Sequence, residues 1–207
     1  DPKVRRFFRE LKGPFSATKL ETFATCAFKY FSGRVLNLNE PLDGREAMEM
    51  GNLLHKTLEE FYKELPIAEK ESGAFLKRPS STEAALHKKL ESLMSESPFK
   101  NEPLYRQRMH VNSMKGTLSL FVRHEKELFE KRSFVPAYLE LKFGKPETSD
   151  LDYLKIEGPG GAILIEGQID RVDISKEKSQ ALVIDYKRSA REFKVHEKLE
   201  EGLEFQL

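Results

Sequence analysis

Apolar residues in the first part of the chain recur at the three- and four-residue spacing of amphipathic helices. After Ser16, a residue type that caps helix N-termini, this spacing predicts two short helices that meet near Cys26. It also predicts three longer helical stretches, over residues 47–65, 81–95 and 102–131. We therefore expect a helical part over residues 16–132, preceded by a lead-in segment over residues 1–15.

The pattern changes to the two-residue alternation of β-strands after residue 133. Four segments are strand candidates: residues 135–143, 151–157, 162–174 and 181–188. Short polar turns join them, which predicts an antiparallel meander, and the last residues return to helical spacing. We therefore predict an α+β protein, with a central twisted, mainly antiparallel sheet of at least three strands flanked by helices. Residues 133–207 form the sheet-bearing core of this predicted fold.

The last two predicted strands each carry an acidic residue. Asp170 lies in the third strand, whereas Asp185 follows an apolar triplet in the fourth, with Lys187 two residues later. Side chains two apart on a strand share a face, so Asp185 and Lys187 point the same way, and Asp170 can join them from the neighbouring strand. Carboxylates that converge repel each other unless a cation lies between them. A hard divalent metal beside a lysine is suited to attack on a phosphodiester.

The strand residues, taken alone, also allow a simpler interpretation. Asp170 could face water, as Arg171 or Asp173 would on their own faces of the strand. Asp185 and Lys187 could be an exposed ion pair at a strand end, which contributes under roughly 1 kcal/mol. Strand interiors disfavour aspartate, so Asp170 is the residue that most needs a functional reason.

Two further ionisable residues are ambiguous in the same way. His55 lies on the helix predicted over residues 47–65, and a lone histidine on a helix is usually structural or solvated. Glu140 alternates with apolar residues, which a surface-facing strand position explains. Tyr186 points away from Asp185 and Lys187, and we expect it in the core or in the wall of a groove.

Composition and charge set only broad limits. Charged residues make up 33% of the 207 residues and the net charge is +1, which neither predicts a nucleic-acid binder nor excludes a locally basic groove. No apolar run approaches the roughly 20 residues of a membrane helix, and no signal peptide opens the chain. With a single cysteine, a cytoplasmic location without membrane contact is expected. The ends at Asp1 and Leu207 are typical of a domain excised from a longer protein.

Four segments resemble motifs of the RecB-like branch of the PD-(D/E)XK nuclease superfamily and occur along the chain in the order found in that family. They are Gly-Gln-Ile-Asp-Arg-Val-Asp at residues 167–173, Ile-Asp-Tyr-Lys at residues 184–187, Gly-Asn-Leu-Leu-His-Lys-Thr-Leu-Glu at residues 51–59, and residues 16–31. The last of these is similar to the segment that opens the nuclease domain of AddB-like components of helicase–nucleases. The resemblance extends from about Ser16 to Leu207 and implies a restriction-endonuclease-like core.

The resemblance implies a role for each matching residue, and the family often has an acidic residue at the position of Glu140. His55, Asp170 and Asp185 would bind Mg²⁺ or Mn²⁺, together with the carbonyl of Ile184 or Tyr186, and Asp170, Asp185 and Lys187 would be catalytic. Gln206 resembles the start of a DNA-contacting Gln-Xaa-Xaa-Xaa-Tyr motif that is incomplete here. Cys26 matches the first ligand of an iron–sulfur cluster. Because such clusters usually need four thiolates, only a longer parent protein could build one; within this chain, a small buried apolar role for Cys26 is favoured.

The implied function is that of a metal-dependent DNA nuclease. It would be the exonuclease domain of a helicase–nuclease in double-strand break repair and recombination, with DNA and a helicase subunit or domain as partners. DNA would pass the basic residues of the helical stretch over residues 102–131. Two alternatives stay open: a catalytically inactive module of the same fold that grips DNA, and a stand-alone nuclease of the CRISPR-adaptation type.

Overall fold

The computed structural model describes residues 13–38, 45–131, 134–158 and 161–187. These residues form two compact units. The larger unit contains residues 45–131, 134–140 and 169–187, and the smaller contains residues 13–38, 141–158 and 161–168. The mixture of helices and antiparallel strands confirms the predicted α+β class.

The smaller unit begins with the two short helices that the sequence predicts. Helix α1 is Ala17–Thr25 and α2 is Ala27–Tyr30, followed by a π-helical turn, Phe31–Val35. The Ser16 hydroxyl accepts the Lys19 N–H at 3.3 Å, so Ser16 is the N-cap of α1.

Four helices build the helical part of the larger unit. They are α3 (Arg45–Glu64), α4 (Ile67–Ser72), α5 (Pro79–Met94) and α6 (Leu104–Lys131), with a 3₁₀ turn at Pro98–Asn101. The three longer helices confirm the predicted stretches, whereas the sequence pattern does not predict α4. Gly73 ends α4 with φ +61°, where a Cβ would meet the Phe129 ring at 2.3 Å. Glycine is the residue that allows this turn.

The core of the larger unit lies between α3, α5 and α6. Its most buried apolar members repeat every four residues along two of the helices: Leu86 and Leu90 on α5, and Met114, Leu118 and Val122 on α6. This repeat places each set on one helix face, and fully burying side chains of this size contributes about 1.5–3 kcal/mol each. Tyr186, from the segment after the last strand, packs against this core.

The strands form two separate sheets. A three-stranded sheet has the order β1 (Phe134–Phe143), β4 (Gly167–Ser175) and β5 (Ala181–Ile184). Strands β2 (Leu154–Gly158) and β3 (Gly161–Ile165) pair with each other as an antiparallel two-stranded sheet, and an isolated parallel bridge joins Ile165 to Phe15. The expected four-strand meander is therefore wrong, because β4 neighbours β1 and the two intervening strands form their own sheet.

The predicted third strand, residues 162–174, is in fact two strands. The break lies at Glu166, whose N–H donates to the Phe15 carbonyl at 2.9 Å, and the Phe15 N–H donates to the Leu164 carbonyl at 2.8 Å. Residues before the break pair with β2, and residues 171–174 pair with β5. Apolar periodicity does not encode the partner of a strand, so the sequence pattern continues through a change of sheet.

No helix within the described ranges is long and apolar enough to cross a membrane. The helical spacing predicted for residues 192–207 lies outside the described residues, as does Gln206.

Candidate metal-binding site

The antiparallel pairing of β4 with β5 places the two predicted aspartates next to the same end of the ladder. The ladder pairs Arg171 with Ile184, and Asp170 and Asp185 lie one residue beyond that pair. Asp170 is inside β4, whereas Asp185 directly follows β5. Continuing the register by one residue would place them opposite each other.

Three side chains converge beside this strand end. The His55 Nδ1 lies 3.5 Å from Glu140 Oε1 and 3.5 Å from Asp170 Oδ1. One ligand atom from each residue lies within 4.8 Å of the others, and all three residues are half-buried. His55 comes from the middle of α3, Glu140 from β1 and Asp170 from β4. Within the described part of the chain, this is the group that can hold a metal ion.

Glu140 reaches this group through an irregularity in β1. Its φ is +49°, in the left-handed region that non-glycine residues rarely adopt. Regular alternation would place Glu140 on the same face as the exposed Tyr138 and Lys142, yet Glu140 is half-buried. The sequence pattern does not single out Glu140, because alternation alone predicts a surface position. Irregular strand geometry of this kind often re-aims a side chain beside an active site.

The backbone of Tyr186 contacts two of the three converging residues. Its N–H donates to Asp170 Oδ2 at 2.6 Å, and its carbonyl oxygen is 3.3 Å from His55 Nε2. Metal-binding histidines usually donate their second ring N–H to a carbonyl or carboxylate, which fixes the ring and the tautomer. The contact with Tyr186 leaves Nδ1 of His55 directed at the two carboxylates.

Electrostatics in this group favour a cation. Hydrogen bonds with Asp170 and Glu140 raise the pKa of His55 from 6.5 to about 10, against the opposing effect of burial. Burial raises the pKa of Asp170, but hydrogen bonds from His55 and the Tyr186 N–H outweigh it, so the pKa is lowered. Without a metal, the imidazolium of His55 therefore takes the position of the cation between two carboxylates.

The donor set fits a divalent metal. Two carboxylates and an imidazole suit ions that prefer oxygen and nitrogen ligands, and the binding ion would displace the His55 proton. An iron–sulfur cluster does not fit, because the chain has one cysteine and such clusters need about four thiolates.

The remaining predicted site residues form a pair next to this group. Lys187 Nζ lies 2.7 Å from Asp185 Oδ2, and both side chains are exposed. In the described part of the structure, Asp185 is not a member of the group formed by His55, Glu140 and Asp170. Sharing of one ion by Asp170 and Asp185 stays a prediction, supported by their positions one residue beyond the last pair of the ladder.

Cys26 is exposed, which corrects the expectation of a buried apolar residue within this chain. It lies between α1 and α2, and its Sγ accepts the Lys29 N–H at 3.5 Å. The thiol thus serves as the N-cap of α2, a position that turns it toward solvent.

A second charged cluster, which the sequence pattern does not predict, lies on the other face of β4. Arg171 donates to both carboxylate oxygens of Glu125 and of Asp173, and also to the hydroxyls of Tyr62 and Tyr186. Arg171 and Asp173 are both buried. The simpler interpretation of the sequence placed these two residues on a solvent-facing side of the strand, but the helical core encloses both.

Several basic residues of α6 are paired with carboxylates of the larger unit. Arg106 pairs with Glu46 at 2.9 Å, and Lys115 pairs with Glu91 at 2.5 Å. His110 is buried and lies 2.9 Å from Glu102. These pairs reduce the positive potential that this part of α6 offers to a nucleic acid.

Comparison with known proteins assigns the family. A model of the PD-(D/E)XK nuclease superfamily matches residues 14–207. The chain belongs to this superfamily. PD-(D/E)XK nucleases generally use divalent metals, in agreement with a candidate site built from His55, Glu140 and Asp170. The predicted resemblance is thereby confirmed.

Similar curated proteins are considerably longer than this chain. It is 28% identical over 207 residues to an ATP-dependent helicase/deoxyribonuclease subunit of Clostridium kluyveri, covering 93% of this chain and 17% of the relative. It is 30% identical over 213 residues to the protein of the same name from Caldanaerobacter subterraneus, covering 99% of this chain and 18% of the relative. The chain therefore corresponds to a small part of these relatives.

Proposed function

We propose that this chain is a metal-dependent nuclease domain that hydrolyses DNA phosphodiester bonds with Mg²⁺ or Mn²⁺. The observation that carries the proposal is the convergence of His55, Glu140 and Asp170 next to the Asp185–Lys187 pair. Both the family and the deoxyribonuclease names of the longer relatives support this function.

Each residue has a role in the proposed site. Four residues would hold the ion: His55, Glu140, Asp170 and Asp185. When bound, a divalent ion supplies Lewis-acid activation of water and stabilises charge on the phosphate. The backbone of Tyr186 keeps His55 and Asp170 oriented, which maintains ligand geometry before substrate arrives.

Lys187 would act on the reacting phosphate. Its ammonium group is exposed and is held by Asp185 at 2.7 Å, so it can reach the attacking water or the phosphate oxygens. In the reaction, the water oxygen bonds to phosphorus, one phosphorus–ester oxygen bond breaks, and the leaving oxygen gains a proton. A fixed positive charge beside the phosphate is stabilising because negative charge accumulates there during attack.

The broader context follows from the longer relatives. We propose that the domain acts as an exonuclease within an ATP-dependent helicase–nuclease, with a helicase subunit or domain as partner and a role in cytoplasmic double-strand break repair and recombination. The name of these relatives joins helicase and deoxyribonuclease. Gln206 remains the residue proposed to contact DNA, and Cys26 remains a proposed cluster ligand for a parent protein with further cysteines.

Substitution of the paired aspartates tests the proposal. Asp170→Asn and Asp185→Asn each replace an anionic oxygen ligand with a neutral amide of the same shape. Each should reduce cleavage of labelled linear DNA in Mg²⁺ or Mn²⁺ by about a thousandfold, which corresponds to several kcal/mol of lost charge stabilisation. Asp152→Asn makes the same chemical change at an exposed aspartate outside the site and should cleave as the unsubstituted protein does.

Two outcomes would contradict the proposal in different ways. Cleavage that persists in Asp185→Asn at the unsubstituted rate would remove Asp185 from the mechanism. DNA binding without any metal-dependent cleavage by the unsubstituted protein would instead favour the inactive DNA-gripping alternative.

A further inference from the structure

We propose that Tyr186 is a positioning residue that couples the buried Arg171 cluster to the metal-binding residues. This inference rests on the proposed function, because it concerns how the proposed ligands are held. Tyr186 lies between Asp185 and Lys187 in the chain, and its side chain points away from them into the larger unit. One residue thus contacts both charged clusters.

The backbone of Tyr186 holds two of the proposed ligands. Its N–H donates to Asp170 at 2.6 Å, and its carbonyl oxygen lies 3.3 Å from His55 Nε2. Any displacement of this segment would therefore move the Asp170 carboxylate and the His55 ring together. Tyr186 thus contacts two proposed metal-binding residues through its backbone, and its side chain does not bind the metal.

Sheet pairing does not extend to this segment. The β4–β5 ladder ends at the Arg171–Ile184 pair, and residues 185–187 lie outside the strands. The segment that carries Asp185 and Lys187 therefore begins where the paired residues of the ladder end. Contacts outside the ladder tie this segment to the rest of the larger unit.

The Tyr186 side chain supplies those contacts. Its hydroxyl accepts a hydrogen bond from Arg171 at 3.3 Å, and its ring meets Phe121 edge-on at a centroid distance of 5.8 Å. The ring also meets the His55 imidazole edge-on at 5.6 Å. Arg171 is itself held by Glu125 and Asp173. The buried cluster therefore anchors the segment that carries Asp185 and Lys187.

A matched pair of tyrosines separates positioning from general stability. Arg171 Nη1 also donates to the Tyr62 hydroxyl, at 3.0 Å. Tyr186→Phe and Tyr62→Phe each remove one hydroxyl from the same guanidinium. Arg171 keeps its bonds to Glu125 and Asp173 in both variants, so both should fold. Tyr62 contacts the Arg171 cluster, whereas Tyr186 contacts that cluster and also His55 and Asp170.

The readout is Mn²⁺ affinity, measured by electron paramagnetic resonance of free and bound ion. We expect Tyr186→Phe to weaken binding roughly threefold to tenfold and Tyr186→Leu to weaken it by about 10- to 100-fold, the range for residues that orient metal ligands. Tyr62→Phe should bind Mn²⁺ as the unsubstituted protein does. Thermal denaturation should show similar losses of stability for the two phenylalanine variants.

The outcomes separate this inference from the proposed function. Equal Mn²⁺ affinity in Tyr186→Phe, Tyr186→Leu and the unsubstituted protein would overturn the positioning role while leaving the site intact. Equal weakening by Tyr62→Phe and Tyr186→Phe would also overturn it, since it would show a general loss of rigidity. Absence of Mn²⁺ binding that depends on Asp170 in the unsubstituted protein would overturn both proposals.

Discussion

Two charged clusters lie on opposite faces of β4, and each places one cation among two carboxylates. Arg171 pairs with Glu125 and Asp173 on one face. On the other face, His55 lies between Glu140 and Asp170. Adjacent residues of a strand point to opposite faces, so Asp170 and Arg171 direct neighbouring side chains into different clusters. The two clusters have the same number of positive and negative groups, but they differ in the burial and in the chemistry of the cation.

The difference lies in burial and in the permanence of the cation. The side chain of Arg171 is 2% exposed, and it makes paired hydrogen bonds to both carboxylates. Its charge cannot be removed at ordinary pH. The side chain of His55 is 29% exposed and contacts its carboxylates at 3.5 Å, and it can lose its proton. One cluster is closed, whereas the other holds a cation that a metal ion can replace.

This comparison shows how the same charges can serve structure or chemistry. A guanidinium satisfies carboxylates with a fixed fork of donors, so nothing can enter. In the His55 cluster a single ring nitrogen faces both carboxylates. The carboxylate oxygens therefore keep the capacity to bind another cation. The choice of cation and the degree of burial therefore distinguish the structural cluster from the candidate site.

The largest stability effect should come from removing the permanent cation. Arg171→Met leaves Glu125 and Asp173 buried and uncompensated, and breaking a buried ion pair from one side costs about 3–5 kcal/mol. Urea denaturation should show this loss in the free energy of unfolding. Arg106→Met makes the same change at an exposed pair with Glu46 and should cost less than about 1 kcal/mol. Equal losses in the free energy of unfolding would show that the buried Arg171 cluster stabilises the fold no more than the exposed Arg106–Glu46 pair does.

Removing Lys187 should reduce DNA cleavage and leave stability almost unchanged. Lys187→Met takes away an exposed ammonium beside Asp185, and DNA cleavage should fall about 100-fold because charge on the phosphate is less well stabilised. The free energy of unfolding should change by no more than about 0.5 kcal/mol. Lys176→Met, at another exposed lysine, is the matched control and should retain activity. A large loss of stability with normal cleavage in Lys187→Met would assign this lysine to the fold.

The smallest effect should be a pH dependence of the metal-free protein. The pKa of His55 is raised from 6.5 to about 10 by Asp170 and Glu140, so the folded state holds this proton more tightly than the unfolded state. The stabilisation is complete below about pH 6.5 and is lost as pH rises toward 10. Thermal denaturation in chelator should therefore show a decline across this range. The His55→Gln variant should lack the part of this decline that comes from the His55 proton.

Added metal should alter the same curve. A bound divalent ion replaces the His55 proton, so saturating Mn²⁺ should abolish the His55-dependent decline between about pH 6.5 and 10. The measurement is the difference in melting temperature between the unsubstituted protein and His55→Gln, with and without Mn²⁺. An unchanged difference in the presence of the ion would show that metal and proton do not compete at His55.

Local patterns predicted the elements well. The apolar repeat anticipated α3, α5 and α6, and Ser16 caps α1 as its residue type suggests. The order of four short motifs identified the superfamily, which the family match confirms. Helical spacing and capping depend on residues a few positions apart, so they can be detected in the sequence without knowledge of the tertiary contacts.

Glu140 shows where local patterns stop being sufficient. Its neighbours alternate as in a surface strand, and only the φ of +49° explains why its carboxylate joins His55 and Asp170. The split of residues 162–174 into β3 and β4 has a similar origin, since Phe15 binds the backbone at the break. The break at Glu166 depends on Phe15, which is distant in the chain.

Residue patterns alone were enough to predict the longer helices and the family, and to predict that Asp170 and Asp185 belong to the same pair of strands. Tertiary packing set what each charged residue of β4 faces. Arg171 and Asp173 look like solvent-facing strand residues, yet the core formed by α3 and α6 buries them with Glu125. Alternation specifies which residues share a face, but it does not specify what covers that face. Packing of distant helices therefore made one face a closed cluster and left the other open as a candidate metal site.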